Sequence, residues 1–267
     1  MKILFIGGDK RMNYAAERLS AEYEVEQFGE KTQGRFSAVV LPLPLTRNGR
    51  EILAPLSDSP LEFGIITRLA DKNAMIFAGG ECTVLTEMCA KNSYMFVNYF
   101  AEEALILKNA ALTAEAACAL LSQSTDGALL GSSSLITGYG RIGRMLAYRL
   151  AANGSSVTIA ARRAEQRTAA ELDGFSSVNI SDIGDDLGNI DFIANTVPCA
   201  LFNAEHFSAM KRSAVFIELA TLPEQSSKPL AESHGIQYIY APGLPGKNSP
   251  RAAGEAIAET IADKLNI

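Results

Sequence analysis

The stretch SLITGYGRIG, residues 134–143, decides how this chain is read. A β-rich run, Leu135-Ile136-Thr137, ends in Gly138-Tyr139-Gly140-Arg141-Ile142-Gly143, which fits G-x-G-x-x-G. Alone, that spacing is a weak signal. Here it opens a helical pattern, RIGRMLAYRLAAN, that stops at Gly154, and a second strand-like run, SVTIA, follows. Strand, glycine turn, helix and strand is the context in which the three glycines acquire mechanical roles. Gly138 permits the tight turn, and Gly140 lets the backbone approach a pyrophosphate at the helix N-terminus. Gly143 lets helix and strand pack closely. Residues 138–143 therefore read as the phosphate-binding turn of a dinucleotide domain.

In such domains an acidic side chain about 20 residues past the turn meets the ribose 2′-hydroxyl of NAD. This chain instead has VTIAARR, residues 157–163, with Arg162 24 residues beyond Gly138. An aspartate there would repel a 2′-phosphate. Ala161-Arg162-Arg163 does the reverse, because guanidinium groups make planar, charge-assisted hydrogen bonds to phosphate oxygens. Cations in a first helical turn are also mildly unfavourable toward the helix dipole, so a bound anion explains them better than the helix start does. The expected cofactor is NADP (NADPH).

Working outward, strands are expected at residues 134–137, 156–160, 191–195, 214–219 and 237–241. After the third comes Asn195-Thr196-Val197-Pro198, a sharp turn at the sheet edge that faces the nicotinamide half of a cofactor in doubly wound folds. Asn195 and Thr196 are expected to bond the carboxamide or ribose, and Pro198 to set the backbone. Glu218, Ala220 and Thr221 stand at the next strand end.

The first hundred residues alternate in the same way. KILFIGG, YEVEQFG, FSAVVLPLP, AMIFAGG and YMFVNY read as strands; RMNYAAERLSA, LEFGIITRLADKN and CTVLTEMCAKN read as helices. Residues 43–60 form a long Pro/Gly/Ser-rich loop. Residues 101–123 read as one long helix, and STDGALLGSSS punctuates the chain after it. The fold class is α/β with two domains. A flavodoxin-like or Rossmann-like, substrate-side domain covers residues 1–108. A doubly wound parallel-sheet, NAD(P)-binding Rossmann domain covers residues 109–250, linker helix included. The terminal helix, 251–267, started by Pro250, is expected to pack back on the first domain.

Composition narrows the function classes. The 267 residues carry a net charge of −6, which argues against a nucleic-acid partner. No apolar stretch is expected to approach the ~20 residues that span a bilayer, and the opening apolar run is too short for a signal-peptide core. Cys82, Cys89, Cys118 and Cys199 show no Cys-x-x-Cys spacing and read as reduced thiols of a cytoplasmic protein; Cys82 and Cys89 are expected on one helix face. His206 and His234 read as surface residues, so no histidine stands ready for alcohol oxidation. There is no metal-ligand spacing and no Gly-x-Ser-x-Gly elbow.

Four segments together resemble the dehydrogenase-like (A-type) polypeptide family of dipicolinate synthase: IGGDKR (6–11), NAALTAEAA (109–117), NTVP (195–198) and APGLPGKNSPRAAGE (241–255). The last is the most specific, and the resemblance spans nearly the whole chain. It implies a dehydrogenase-like subunit that oxidises a dihydrodipicolinate-type cyclic imine to pyridine-2,6-dicarboxylate, with NADP as oxidant. It also implies that a flavoprotein-like B subunit is the partner, in the mother-cell cytoplasm of a spore former. Association of like chains through the α/β domains is expected. A substrate with two carboxylates calls for cations. Arg11, Arg47 and Arg251 are the candidates for binding it, with Thr113 and Glu115 on the linker helix. Asp9 and Lys247 are the candidates for catalysis, Asp9 as proton acceptor or as a positioner of Arg11. Two other readings stay open: a shikimate-dehydrogenase-like or hydroxy-acid-type reductase, and a non-catalytic NADP-binding subunit.

Overall fold

Short apolar runs joined by helical patterns are satisfied by parallel strands, because each such strand is buried on both faces and reaches its neighbour through a crossover. The computed structural model describes residues 1–222 and 227–266; the expected readings of residues 223–226 and of the last position of the terminal helix, Ile267, lie outside the described residues. The chain forms two units, Met1–Asn109 with Gly246–Ile267, and Ala110–Pro245.

The first unit contains β1 (Lys2–Phe5), α1 (Lys10–Leu19), β2 (Glu24–Gln27), β3 (Phe36–Val40), β4 (Glu51–Ile52), β5 (Leu61–Glu62), α2 (Gly64–Leu69), β6 (Ala70–Ala78), α3 (Thr83–Asn92) and β7 (Met95–Asn98). Its main sheet is parallel throughout, in the order β2-β1-β3-β6-β7. Leaving out the small β4–β5 hairpin, this is the 2-1-3-4-5 order of flavodoxin-like folds. The period-2 alternation of the strands sorts their side chains. Leu4, Ile6 and Val39 join Ile65, Ile66 and Leu85 on one face. Ile3, Phe5 and Val40 join Met12, Ala15 and Leu19 of α1 on the other, together with Ile257 and Ile261.

The linker helix α4 (Glu103–Gln123) leads into the second unit. There follow β8 (Ser133–Thr137), α5 (Arg141–Ala152), β9 (Ser156–Ala161), α6 (Ala164–Leu172), β10 (Ser176–Asn179), β11 (Phe192–Asn195), α7 (Ala204–Ala209), β12 (Val215–Glu218), α8 (Lys228–Ser233) and β13 (Gln237–Tyr240). Six parallel strands lie in the order β10-β9-β8-β11-β12-β13. That is the 3-2-1-4-5-6 order of the dinucleotide-binding fold, whose order reverses between β8 and β11. The chain returns through α9 (Leu244–Asn248) to α10 (Pro250–Leu265).

α10 packs against α1 at very short range. A Cβ on Gly254 would lie 2.4 Å from the Arg11 carbonyl oxygen and 2.8 Å from Tyr14 Cβ, so no larger residue fits the crossing as it stands. Gly246 sits just as tightly on a charged pair: its Cβ would lie 2.9 Å from Arg11 Nε and 2.9 Å from an Asp9 carboxylate oxygen. The first unit therefore begins again at Gly246 rather than at 251, and Lys247 belongs to it.

Several expectations are corrected. The helix read over 61–73 is only α2, because Ala70 already pairs with Phe36 in the sheet and pairing overrides local helix propensity. The 43–60 loop contains β4, paired antiparallel with β5. β10 went unread because SSVN, with one apolar residue, is an edge strand. Cys82 precedes α3 as its N-cap, so only Cys89 lies on the helix, where it is buried. The expectation that no apolar stretch nears membrane-spanning length also fails by composition: α4 has 21 residues and a mean hydropathy of 1.5. The protein interior explains that hydropathy, since Leu105, Ala110, Ala114, Ala117 and Leu121 of α4 are all buried.

Gly254→Val should destabilise the first unit by about 3 kcal/mol, because the added side chain has only the α1 backbone to displace. Urea unfolding measures this; an unchanged midpoint means the two helices do not pack as described.

Candidate dinucleotide-binding site

The site is built at the carboxyl ends of β8, β9, β11 and β12. Gly138 takes φ +85°, a conformation L side chains rarely adopt, and a Cβ there would lie 2.8 Å from Thr196 Oγ1. At Gly143 a Cβ would lie 2.2 Å from the Gly138 carbonyl oxygen, so the glycine is what lets α5 start directly on the turn. Gly140 is the N-cap of α5, and a Cβ there meets nothing within 4 Å. The turn is thus tight on its inner side and open on its outer side, at the positive end of a 12-residue helix. That combination fits the pyrophosphate of a dinucleotide.

Tyr139 is only 7% exposed and faces inward. Its hydroxyl donates to Asp173 Oδ2 at 2.6 Å, and Arg144 pairs with the same carboxylate at 2.9 Å. Asp173 is the C-cap of α6, so Tyr139 braces the turn against that helix and offers the site its backbone alone. Burial, and then the bond to Asp173, push the phenol's pKa well above its ordinary value. Arg141 is exposed in the first turn of α5, whereas Ile142 packs on the core.

At the end of β9, Ala161 is buried while Arg162 and Arg163 are exposed. The carbonyls of Ala161 and Arg162 both accept from Arg167 Nη1, at 2.9 Å each, which fixes the turn from inside. Arg163 Nη1 lies 3.4 Å from Glu165, and among the described residues Arg162 forms no ion pair.

The next two strand ends differ from expectation. Asn195 is 1% exposed and its amide is spent internally. Its Nδ2 donates to both Glu218 carboxylate oxygens, at 2.9 and 3.0 Å, and to Val197 O at 3.1 Å. Its Oδ1 accepts from Thr137 Oγ1 at 2.5 Å and from the Val197 N–H at 3.1 Å. Thr196 Oγ1 donates to Thr137 O at 2.6 Å. These two side chains tie strands together; the turn presents Val197 and the exposed Pro198 instead. Ala220 is buried, and its N–H donates to Glu218 Oε1 at 3.2 Å. Glu218 itself was not among the candidates. Burial pushes its carboxyl up to about 7 despite the bonds from Asn195 and Ala220. The signal was in the sequence, a lone acid inside the apolar run VFIELA at a strand end.

The substrate-side candidates divide. Asp9 caps α1, accepting from the Arg11 N–H at 3.0 Å, and grips the Arg11 guanidinium at 2.9 and 2.8 Å. Arg11 also donates to the Leu43 carbonyl and is 7% exposed. Asp9 is therefore a positioner of Arg11 rather than an open proton acceptor, and Arg11 is a buried structural cation. Arg251 stacks over the Tyr14 ring at 4.6 Å and lies 3.8 Å from Glu255. Thr113 is buried, and Glu115 pairs with Arg149 at 3.6 Å. Lys247 is exposed on α9, and exposed Arg47 lines a cavity of about 420 Å³ with Glu51 and Asp58.

The second unit's largest cavity, about 660 Å³, touches Ser132, Asp191, Arg212 and Gln237 at the amino ends of the strands. It contains none of the glycine-turn residues, so strand polarity, not cavity size, locates the site. Among the described residues no group of three or more His, Cys, Asp or Glu side chains is placed to hold a metal ion.

Sheet order and glycine turn define a dehydrogenase-like chain with a nicotinamide-dinucleotide domain. Residues 115–226 match the D-isomer specific 2-hydroxyacid dehydrogenase, NAD binding domain family. The whole chain is similar to the dehydrogenase-like A-type polypeptide of dipicolinate synthase from Bacillus subtilis (strain 168), at 26% identity over 285 residues, covering 99% of this chain and 96% of that protein. The resemblance carried by the four short segments thus extends along the chain. Among solved structures, the same polypeptide of dipicolinate synthase from Bacillus halodurans superposes with a TM-score of 0.87 at 23% identity, covering 100% of this chain and 98% of that one. Its counterpart from Bacillus subtilis gives 0.85 at 24% identity, covering 100% and 96%. At these identities the structural likeness speaks for the fold.

Gly140→Val should leave the thermal unfolding temperature nearly unchanged, since its side chain meets open space. Dinucleotide affinity should fall about a hundredfold or more, because the side chain occupies the pyrophosphate position. Calorimetric titration checks this; full retention of binding would place the pyrophosphate elsewhere.

Proposed function

We propose that this chain is an NADP-dependent dehydrogenase subunit that oxidises a dihydrodipicolinate-type cyclic imine to dipicolinate. The observation that carries the reading is similarity to a dipicolinate synthase polypeptide over 99% of the chain, joined to an intact dinucleotide turn. The balanced reaction is dihydrodipicolinate + NADP+ → dipicolinate + NADPH + H+. When bound, the nicotinamide supplies the hydride acceptor. Loss of a hydride and a proton makes the ring aromatic, so the demand on a protein base is slight and holding the ring in register is the main task. This agrees with the absence of a buried histidine among the described residues.

Arg162, and beside it Arg163, are the groups that select the 2′-phosphate. The β9 end places them exposed where an acid would stand in an NAD site. Lys247 and Arg47 are the exposed cations of the first unit suited to a substrate carboxylate, Arg11 being committed to Asp9. Partnership with a flavoprotein-like B subunit, self-association and residence in the cytoplasm of a spore former complete the proposal, on the strength of the same similarity.

The test is turnover of dihydrodipicolinate with NADP, followed by absorbance of the pyridine product, first with the chain alone and then together with a B subunit. Product in either case supports the reading; none in both overturns it. NADP should bind about tenfold or more tightly than NAD, and Arg162→Ala should remove most of that gap. Equal wild-type affinities would refute the assignment of the arginines.

A further inference from the structure

Glu218 is an acid with no counter-ion. It is 0% exposed, and among the described residues no lysine, arginine or histidine pairs with it. What meets it is neutral. Asn195 lies opposite it on β11 and donates its amide N–H groups to both carboxylate oxygens. The Ala220 N–H donates from the following turn, and Tyr240 lies opposite it on β13. The phenol of Tyr238, which feels the Glu218 charge, has a buried hydroxyl without a hydrogen-bond partner. A charge in such surroundings is poorly screened, so it acts on other charges over several ångströms.

Its place in the fold supplies the other charge. Glu218 ends β12, beside the Asn195 end of β11, on the sheet edge where a doubly wound fold holds the nicotinamide half of its cofactor. The nicotinamide ring is cationic when oxidised and neutral when reduced. The pyrophosphate, the riboses and any 2′-phosphate are the same in both forms.

We propose that Glu218 makes the discrimination between oxidised and reduced nicotinamide dinucleotide depend on pH, favouring the oxidised form as its carboxyl ionises. The inference rests on the reading that the second unit binds a nicotinamide dinucleotide. The sign follows from linkage. The ionised carboxylate attracts the cationic ring, so binding of NADP+ releases protons near neutrality, while binding of NADPH, with a neutral ring, does not draw on this charge. The ratio of the two affinities cancels the titration of the 2′-phosphate, which both forms share. Physiologically, a more acid cell would hold more of the chain in the reduced-cofactor form.

The experiment is calorimetric titration of the full chain with NADP+ and with NADPH between about pH 6 and about pH 8, in buffers of different ionisation enthalpy. The ratio of NADP+ to NADPH affinity should rise about threefold to tenfold across that range, with proton release on NADP+ binding only. In Glu218→Gln both forms should still bind, with a ratio independent of pH. A flat wild-type ratio overturns the proposal, as does a slope that survives in Glu218→Gln. If that variant does not fold, the Glu218 carboxyl followed by 13C NMR in the wild type decides: its titration should move to lower pH with NADP+ than with NADPH, and coincident curves overturn the proposal. Binding of both cofactors with a flat ratio leaves the dinucleotide reading standing; binding of neither overturns both.

Discussion

The approach of α5 to the end of β8 is the constraint from which the second unit follows. With the Gly138 carbonyl pressed against Gly143, the helix starts directly on the strand and its first N–H groups point outward past Gly140. A methyl group at 143 would push the helix off. The neighbouring strand ends are then held to the turn by short polar ties: Thr137 to Asn195, Thr196 to Thr137, Asn195 to Glu218. These ties are buried, so each lost partner would strand a polar group away from water. The binding edge is rigid on its inner side for that reason, and its backbone is what remains to meet a ligand.

Much of this was legible in the sequence. Glycine spacing and strand–helix alternation give both sheets, and strand polarity puts residues 138–143, 161–163 and 195–198 on one edge. What was not legible is direction. The sequence places Asn195, Thr196 and Tyr139 at the site but does not say that their side chains turn inward, because that depends on partners at Glu218, Thr137 and Asp173 contributed by other elements. The same holds for Arg11, which reads as a cation for a ligand and is consumed by Asp9 two residues away. β10 was missed because an edge strand needs only one buried face and so shows little hydrophobic signal.

The most distinctive motifs, IGGDKR and GLPGKNSPRAAGE, have a structural explanation that family resemblance alone does not supply. They pack on each other. Gly246 covers the Asp9–Arg11 pair, Gly254 lets α10 cross α1 at Arg11, and Arg251 lies on Tyr14. Their glycines are dictated by backbone distance, which separates residues that build the unit from Lys247, whose exposed side chain the packing does not use.

That packing also orders the protein's birth. Ile257 and Ile261 complete a core begun by Ile3 and Phe5, yet the whole of residues 110–245 is translated between them. On the ribosome the dinucleotide unit is a contiguous stretch and can close first. The apolar side of α1 must meanwhile wait uncovered until α10 emerges. Nascent chains are thus most exposed to aggregation, and to chaperone capture, at the first unit, even though it is the first to be made.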